Sequence, residues 1–336
     1  MKLYLEEFYN KCSYKKEDII FLLNSYEIIA KNNNAMKIVD EILHKYEQGT
    51  TDGLKEFIME NSPIISELTG VHVYTIDLII YSLMTKHLRE LYIRNNIDLT
   101  IYDNTVLDLR YKLEECKLVH GIIGSFVARW WFRFFILERF ALGRLQFEID
   151  PFEHEYNKDG VVLTEESKVV NVHIPRTETP MDKDSCDASY KMAKEFFKDK
   201  IDGEIYFVCH SWLLYEENKY ILNKNSNTYR FMSEYELLES ETNDGEDLWR
   251  LFDTLEKDPN KLPTNSSFRL AYVNHLKAGK KLGWGYGIKK EVRWRTSLFF
   301  YAVGHTLRGT AVTPGVVSVK KSSFFLPLQI LPSEST

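Results

Sequence analysis

The hydrophobic period of this chain changes once, and the change decides how the chain can be divided. From Leu3 to about Phe140 apolar residues recur every three or four positions, with Pro63 as the single proline. That spacing belongs to helices that each bury one stripe. One such stretch holds Tyr74, Ile76, Leu78, Ile79, Leu83, Leu88, Leu91 and Tyr92. A second starts near Asp103 and runs through Val106, Leu107, Tyr111, Leu113 and Val119 to Gly121 and Gly124, which suit a helix stop. From Gly143 the pattern is different. Arg144, Gln146 and Glu148 alternate with Leu145, Phe147 and Ile149, the two-residue repeat of a strand with one polar face.

The sequence therefore predicts an all-helical domain over 1–140 and a mixed domain, α+β or α/β, over 141–291. Within the second, Val161 to Leu163 and Val169 to Ile174 read as strands, and Ile205 to Leu214 reads as a long buried central strand. Between the last two, Cys186, Tyr190, Ala193, Phe196 and Phe197 sit at helical spacing after Asp184 and Ser185, either of which could cap the helix. Strand, helix, strand in that order is a βαβ unit, whose right-handed crossover makes the flanking strands parallel. A helix at roughly Ser266 to Lys277 and the glycine-spaced run Gly283 to Gly287 follow.

The composition changes again at the end. Residues 292–336 hold five Lys or Arg against one acidic residue, Glu334, and no Asn, whereas the first 291 hold 38 basic and 48 acidic residues. This last segment is expected to be an appended, poorly ordered tail, because 45 residues without clear periodicity make a poor independent core.

A net charge of -6 gives the whole molecule no electrostatic reason to bind nucleic acid or an anionic membrane. Glu6 and Glu7 interrupt the segment where a signal peptide would be apolar, and no apolar run approaches a membrane span. A cytoplasmic protein is expected. Cys12, Cys116, Cys186 and Cys209 are scattered, with no CxxC and no His at ligand spacing, so neither a metal site nor a disulfide framework is expected.

Several residues are candidates for chemistry. The run Arg129-Trp130-Trp131-Phe132-Arg133-Phe134-Phe135 could stack on bases. The better expectation is rings packed at the domain junction with snorkelling arginines. The polar strand face of Arg144, Gln146 and Glu148 is expected to be solvated. If it lines a cavity instead, Glu148 could accept a proton and Arg144 could hold an anion. His173 shares a strand face with Asn171 and reads as a satisfied structural residue. His210 lies at the end of the central strand, where α/β proteins commonly bind ligands, and is the better candidate base. Cys209 and Ser211 point to the opposite face from His210, so a Cys-His or Ser-His pair is disfavoured and Cys209 is assigned to the core. The stretch from Arg176 to Ser185 enters a helix N-terminus suited to phosphate. Asp182, Asp184 and Asp187 crowd that site, and no glycine lies between Gly160 and Gly203.

The ordered runs LGRLQFE, VVNVHIPR with DSCDASYKMAKEFF, FVCHSWLL and GWGYG resemble bacterial acyltransferase-domain-containing proteins. Those proteins pair a helical N-acyltransferase N-terminal domain with a GNAT-like C-terminal domain. The resemblance spans about residues 1–288. It implies a GNAT-like sheet and transfer of an acyl group from acyl-CoA to a small-molecule amine. It further implies that Val172, Ile174 and Arg176 line the pantetheine and that Lys183 to Ser185 meet the phosphates; within such an enzyme His210, or alternatively Glu148, is the residue expected from its strand position to take the proton. The alternative reading is a non-catalytic GNAT-like protein that senses a ligand or binds a partner, for which the glycine-free loop is the main support.

Overall fold

The computed structural model describes residues 1–245 and 248–290. The expectation about residues 292–336 lies outside them. Six helices come first: α1 (Lys2–Lys11), α2 (Lys16–Lys31), α3 (Asn33–Glu47), α4 (Leu54–Thr69), α5 (Val73–Arg94) and α6 (Leu99–His120). Their ends follow from local chemistry. The Asn32 side chain accepts from the amides of Asn34 and Ala35 at the start of α3, and Asp98 accepts from Thr100 at the start of α6. Gly121 closes α6 in the left-handed region, φ 71°, where a glycine costs least. Helix α5 is buried along most of its length. No single helix among the described residues is long and apolar enough to cross a membrane.

The aromatic run forms a short 3-10 turn, Ala128–Trp131, followed by α7 (Phe132–Phe135). Trp131, Phe134 and Phe135 are buried, as expected for packing at the junction. The sheet part holds β1 (Arg139–Leu142), β2 (Leu145–Pro151), the small hairpin β3 (Tyr156–Lys158) and β4 (Val161–Leu163), then β5 (Lys168–His173). Helix α8 (Lys183–Phe197) crosses over to β6 (Phe207–Ser211). Its cap is Asp182, two or three positions before the residues expected, with Oδ1 accepting from the Ser185 amide at 2.8 Å. Helices α9 (Asn218–Ile221) and α10 (Asn227–Ser233), strand β7 (Tyr235–Asn243), helices α11 (Leu248–Phe252) and α12 (Ser267–Lys277), and strand β8 (Leu282–Lys289) complete it.

The main sheet runs β1-β2-β5-β6-β8-β7, and β5 and β6 are its one parallel pair among the described strands. The βαβ expectation is met. The long central strand is not: β6 stops at Ser211, whose Oγ accepts from the Leu213 amide and starts a 3-10 turn over Trp212–Leu214. The glycines of β8 serve close packing. A Cβ on Gly283 would lie 2.1 Å from Glu241 O, and one on Gly285 2.3 Å from Leu214 O.

One face of the sheet carries Phe147, Val170, Val172 and Phe207 against α8. The other face carries Gln146 and Glu148, and here the expectation of a solvated face fails. Both side chains are buried, at 3% and 2% exposure, because the helical part lies over them. Asp108 of α6 accepts from Gln146 Nε2 at 2.9 Å and from Trp131 Nε1 at 3.0 Å. Tyr46 of α3 donates to Phe135 O at 2.8 Å, and the Ala141 amide donates to Thr105 Oγ1 at 3.2 Å.

Candidate active site

Period-two alternation on β2 and antiparallel pairing with β1 and β5 bring four polar side chains together on the covered face. Arg139 is opposite Glu148, and Gln146 is opposite His173. Arg139 grips Glu148 with both arms of its fork, Nε to Oε2 at 2.8 Å and Nη2 to Oε1 at 2.9 Å. Arg133 Nη1 lies 3.1 Å from Glu148 Oε2 and 2.9 Å from Asp150 Oδ1. His173 Nε2 is 2.6 Å from Glu148 Oε1. Trp130 closes the cluster, with the Arg139 guanidinium 3.6 Å above its ring centre and the His173 ring edge-on at 4.8 Å.

The electrostatics follow from this geometry. Burial on its own pushes the Glu148 carboxyl up, but hydrogen bonds from His173 and Arg139 and their charges outweigh it and hold the group at about 2. Glu148 is therefore a carboxylate that can only accept. Burial depresses the His173 pKa, and the hydrogen bond to Glu148 opposes it without reversing the direction. A neutral imidazole with Nε2–H given to Glu148 keeps the lone pair on Nδ1. A ring held by a carboxylate with its other nitrogen basic is the arrangement of an oriented general base.

The strands part beside this cluster. β5 and β6 pair only through Val170 with Phe207 and Asn171 with Val208, so His173 and His210, each two residues further on, flank the opening on the same face. His210 is exposed, packs edge-on against Trp284 at 4.2 Å, and has no carboxylate partner among the described residues. Cys209 is fully buried on the opposite face, and desolvation pushes its thiol up to about 12. It is core, as expected.

Around the end of β5, Val172 is wholly buried and leaves its backbone alone accessible, while Ile174 is half-buried. Arg176 is paired with Asp253, which Arg269 also holds. Lys183 is paired with Asp187, and the Ser185 amide is taken by the Asp182 cap. The cation left for an anion is Arg144. It is 9% exposed, donates Nη1 to Pro175 O at 2.9 Å, has no carboxylate at ion-pair distance among the described residues, and leaves Nε without a partner. Arg230 approaches the same loop, with Nη2 donating to Met181 O at 3.0 Å. No group of three His, Cys, Asp or Glu side chains among the described residues could hold a metal ion.

Sequence reasoning placed Glu148 and Arg144 among the candidates but missed the pairing of His173 with Glu148 and the clamp by Arg139. Both depend on strand register, which spacing along the chain does not reveal.

Residues 4–137 match the family of N-acyltransferase N-terminal domains, and residues 139–289 match the family of GNAT-like C-terminal domains. No curated protein matches the sequence. Among solved structures, an acyltransferase in complex with decanoyl-CoA is similar at TM-score 0.65 and 18% identity, over 84% of this chain and 86% of that one. An acyltransferase with decanoyl-CoA and teicoplanin gives TM-score 0.66 at 17% identity, over 84% and 86%. One with CoA and 10C-teicoplanin gives 0.58 at 16%, over 85% and 99%.

Proposed function

We propose that this chain, which belongs to the acyltransferases that join an N-acyltransferase N-terminal domain to a GNAT-like C-terminal domain, transfers an acyl group from acyl-CoA to a small-molecule amine, with His173 as the base. The observation that carries this reading is the 2.6 Å contact between His173 Nε2 and Glu148 Oε1 at the mouth of the parted strands. The strand-end argument points to His210, but the orienting carboxylate belongs to His173. Glu148 acts through His173 and is a positioning residue.

The residues fit the donor. Two strands that part leave unpaired backbone groups for the pantetheine, and an unpaired buried guanidinium, Arg144, stands beside the loop into α8. Arg144 would hold a phosphate of the CoA, since guanidinium matches that geometry with two parallel hydrogen bonds. Val172 and Ile174 would contribute backbone, whereas Arg176 and Lys183 are spent on Asp253 and Asp187. The bound thioester supplies the electrophilic carbonyl.

The balance is simple. The amine nitrogen forms the new C–N bond, the C–S bond breaks, His173 Nδ1 takes the proton that nitrogen loses, and the departing sulfur ends as the thiol after receiving a proton. Trp130 and the helical part exclude water from Glu148, which strengthens its hold on the imidazole.

The test is turnover of acyl-CoA with an amine panel by wild type and His173→Gln. We expect a loss of about 10²–10⁴-fold in kcat with acyl-CoA binding retained. Unchanged turnover would overturn the assignment. The ligand-sensing reading rests on the glycine-free loop and its already paired cations, and saturable acyl-CoA binding without turnover on any amine would favour it.

A further inference from the structure

We propose that the acceptor is a primary amine carrying a second positive charge, and that Glu241, Trp284 and His210 form its subsite. This deepens the transferase reading and rests on it. The three residues lie on neighbouring strands β7, β8 and β6. Glu241 is opposite Trp284, and His210 is opposite Tyr286 with its ring against Trp284. Directly opposed residues share a face, so the row lies on the same side of the sheet as His173.

That face is covered in two places and open beyond them. The helical part covers Gln146 and Glu148. The β3–β4 hairpin covers the second place, where Tyr156 and Lys158 bond Glu236, and His154 reaches Tyr286 and Glu239. Beyond that point Trp284 is half-buried while His210 and Glu241 are exposed. The ledge thus leads from solvent to the parted strands.

Its chemistry selects a cation. Glu241 forms no ion pair among the described residues, and Glu239, one alternation away, has only the His154 contact at 3.4 Å. A half-buried indole with carboxylates beside it offers an apolar face and a negative rim, which suits a hydrocarbon body ending in an ammonium. From β7 to β5 the strand axes span about 14 Å and Glu241 lies two residues further along its strand than the level of His173, a diagonal of about 16 Å. With the reach of two side chains subtracted, the reacting nitrogen and the second charge are separated by a distance on the order of 10 Å.

The experiment compares diaminohexane with hexylamine, in wild type, Glu241→Gln and Trp284→Ala, by initial rates with acyl-CoA and by isothermal titration into the full chain. We expect kcat/KM at least tenfold higher for the diamine in wild type, mostly through KM, and a ratio near one in Glu241→Gln. A wild-type ratio near one, or a ratio unchanged by Glu241→Gln, overturns the proposal. If no amine is acylated, titration decides: tighter diamine binding that Glu241→Gln abolishes supports the subsite while the transferase reading fails, and equal binding of both amines overturns it.

Discussion

His173 and Glu148 stand on adjacent strands 25 residues apart in sequence, with the imidazole Nε2 2.6 Å from the carboxylate Oε1. Glu148 also serves Arg139 and Arg133, so its removal affects both the base and the core.

Glu148→Gln is expected to cost about 3–5 kcal/mol in urea unfolding, since Arg139 stays buried without its counter-charge. It should also lower kcat while leaving the acyl-CoA dissociation constant within about threefold of wild type. A variant as stable as wild type would mean that Arg139 finds another anion.

The pH dependence of stability has a defined sign. Glu148 is depressed from 4.5 to about 2, so its contribution is present above about 4.5 and is lost as pH falls toward 2. Urea midpoints measured from pH 6 to pH 2 should fall more steeply for wild type than for Glu148→Gln. Parallel curves would contradict the depressed value.

Asp77 runs the opposite way. It accepts from Ser62 Oγ at 2.6 Å between α4 and α5, and burial pushes its carboxyl from 3.8 to about 6. A raised carboxyl gives stability that is complete below 3.8 and is lost as pH rises through 6. Asp77→Asn should therefore be more stable than wild type at pH 7, by roughly 3 kcal/mol, with the difference closing below pH 4. Thermal unfolding at both pH values checks it.

Arg144→Met should fold, because the change removes an unpaired buried charge, and should weaken acyl-CoA binding by about tenfold to a hundredfold. Titration with CoA and with dephospho-CoA tells which phosphate it serves. Equal affinity in variant and wild type would remove Arg144 from the donor site.

Much of the fold is legible in the sequence because periodicity is local. The switch at Gly143, the helix stop at Gly121 and the crossover through α8 are all set by neighbouring residues. The site is less legible. Cys209 reads correctly as core because strand alternation suffices to place it. The roles of Glu148 and His173 need the register that sets β1, β2 and β5 side by side, and the burial of the polar face needs the helices packed above it. Arg176 and Lys183 read as free cations until Asp253 and Asp187 are seen to hold them.

Asp108 carries one more consequence. Its carboxylate is 2% exposed, receives Trp131 and Gln146, and meets no cation at ion-pair distance among the described residues. A helical half expressed alone would bare this acid, and a sheet half grafted beneath a foreign helical partner would carry Gln146 without the acceptor that Asp108 supplies. The two halves are thus not interchangeable modules. They must be inherited, and engineered, as a pair.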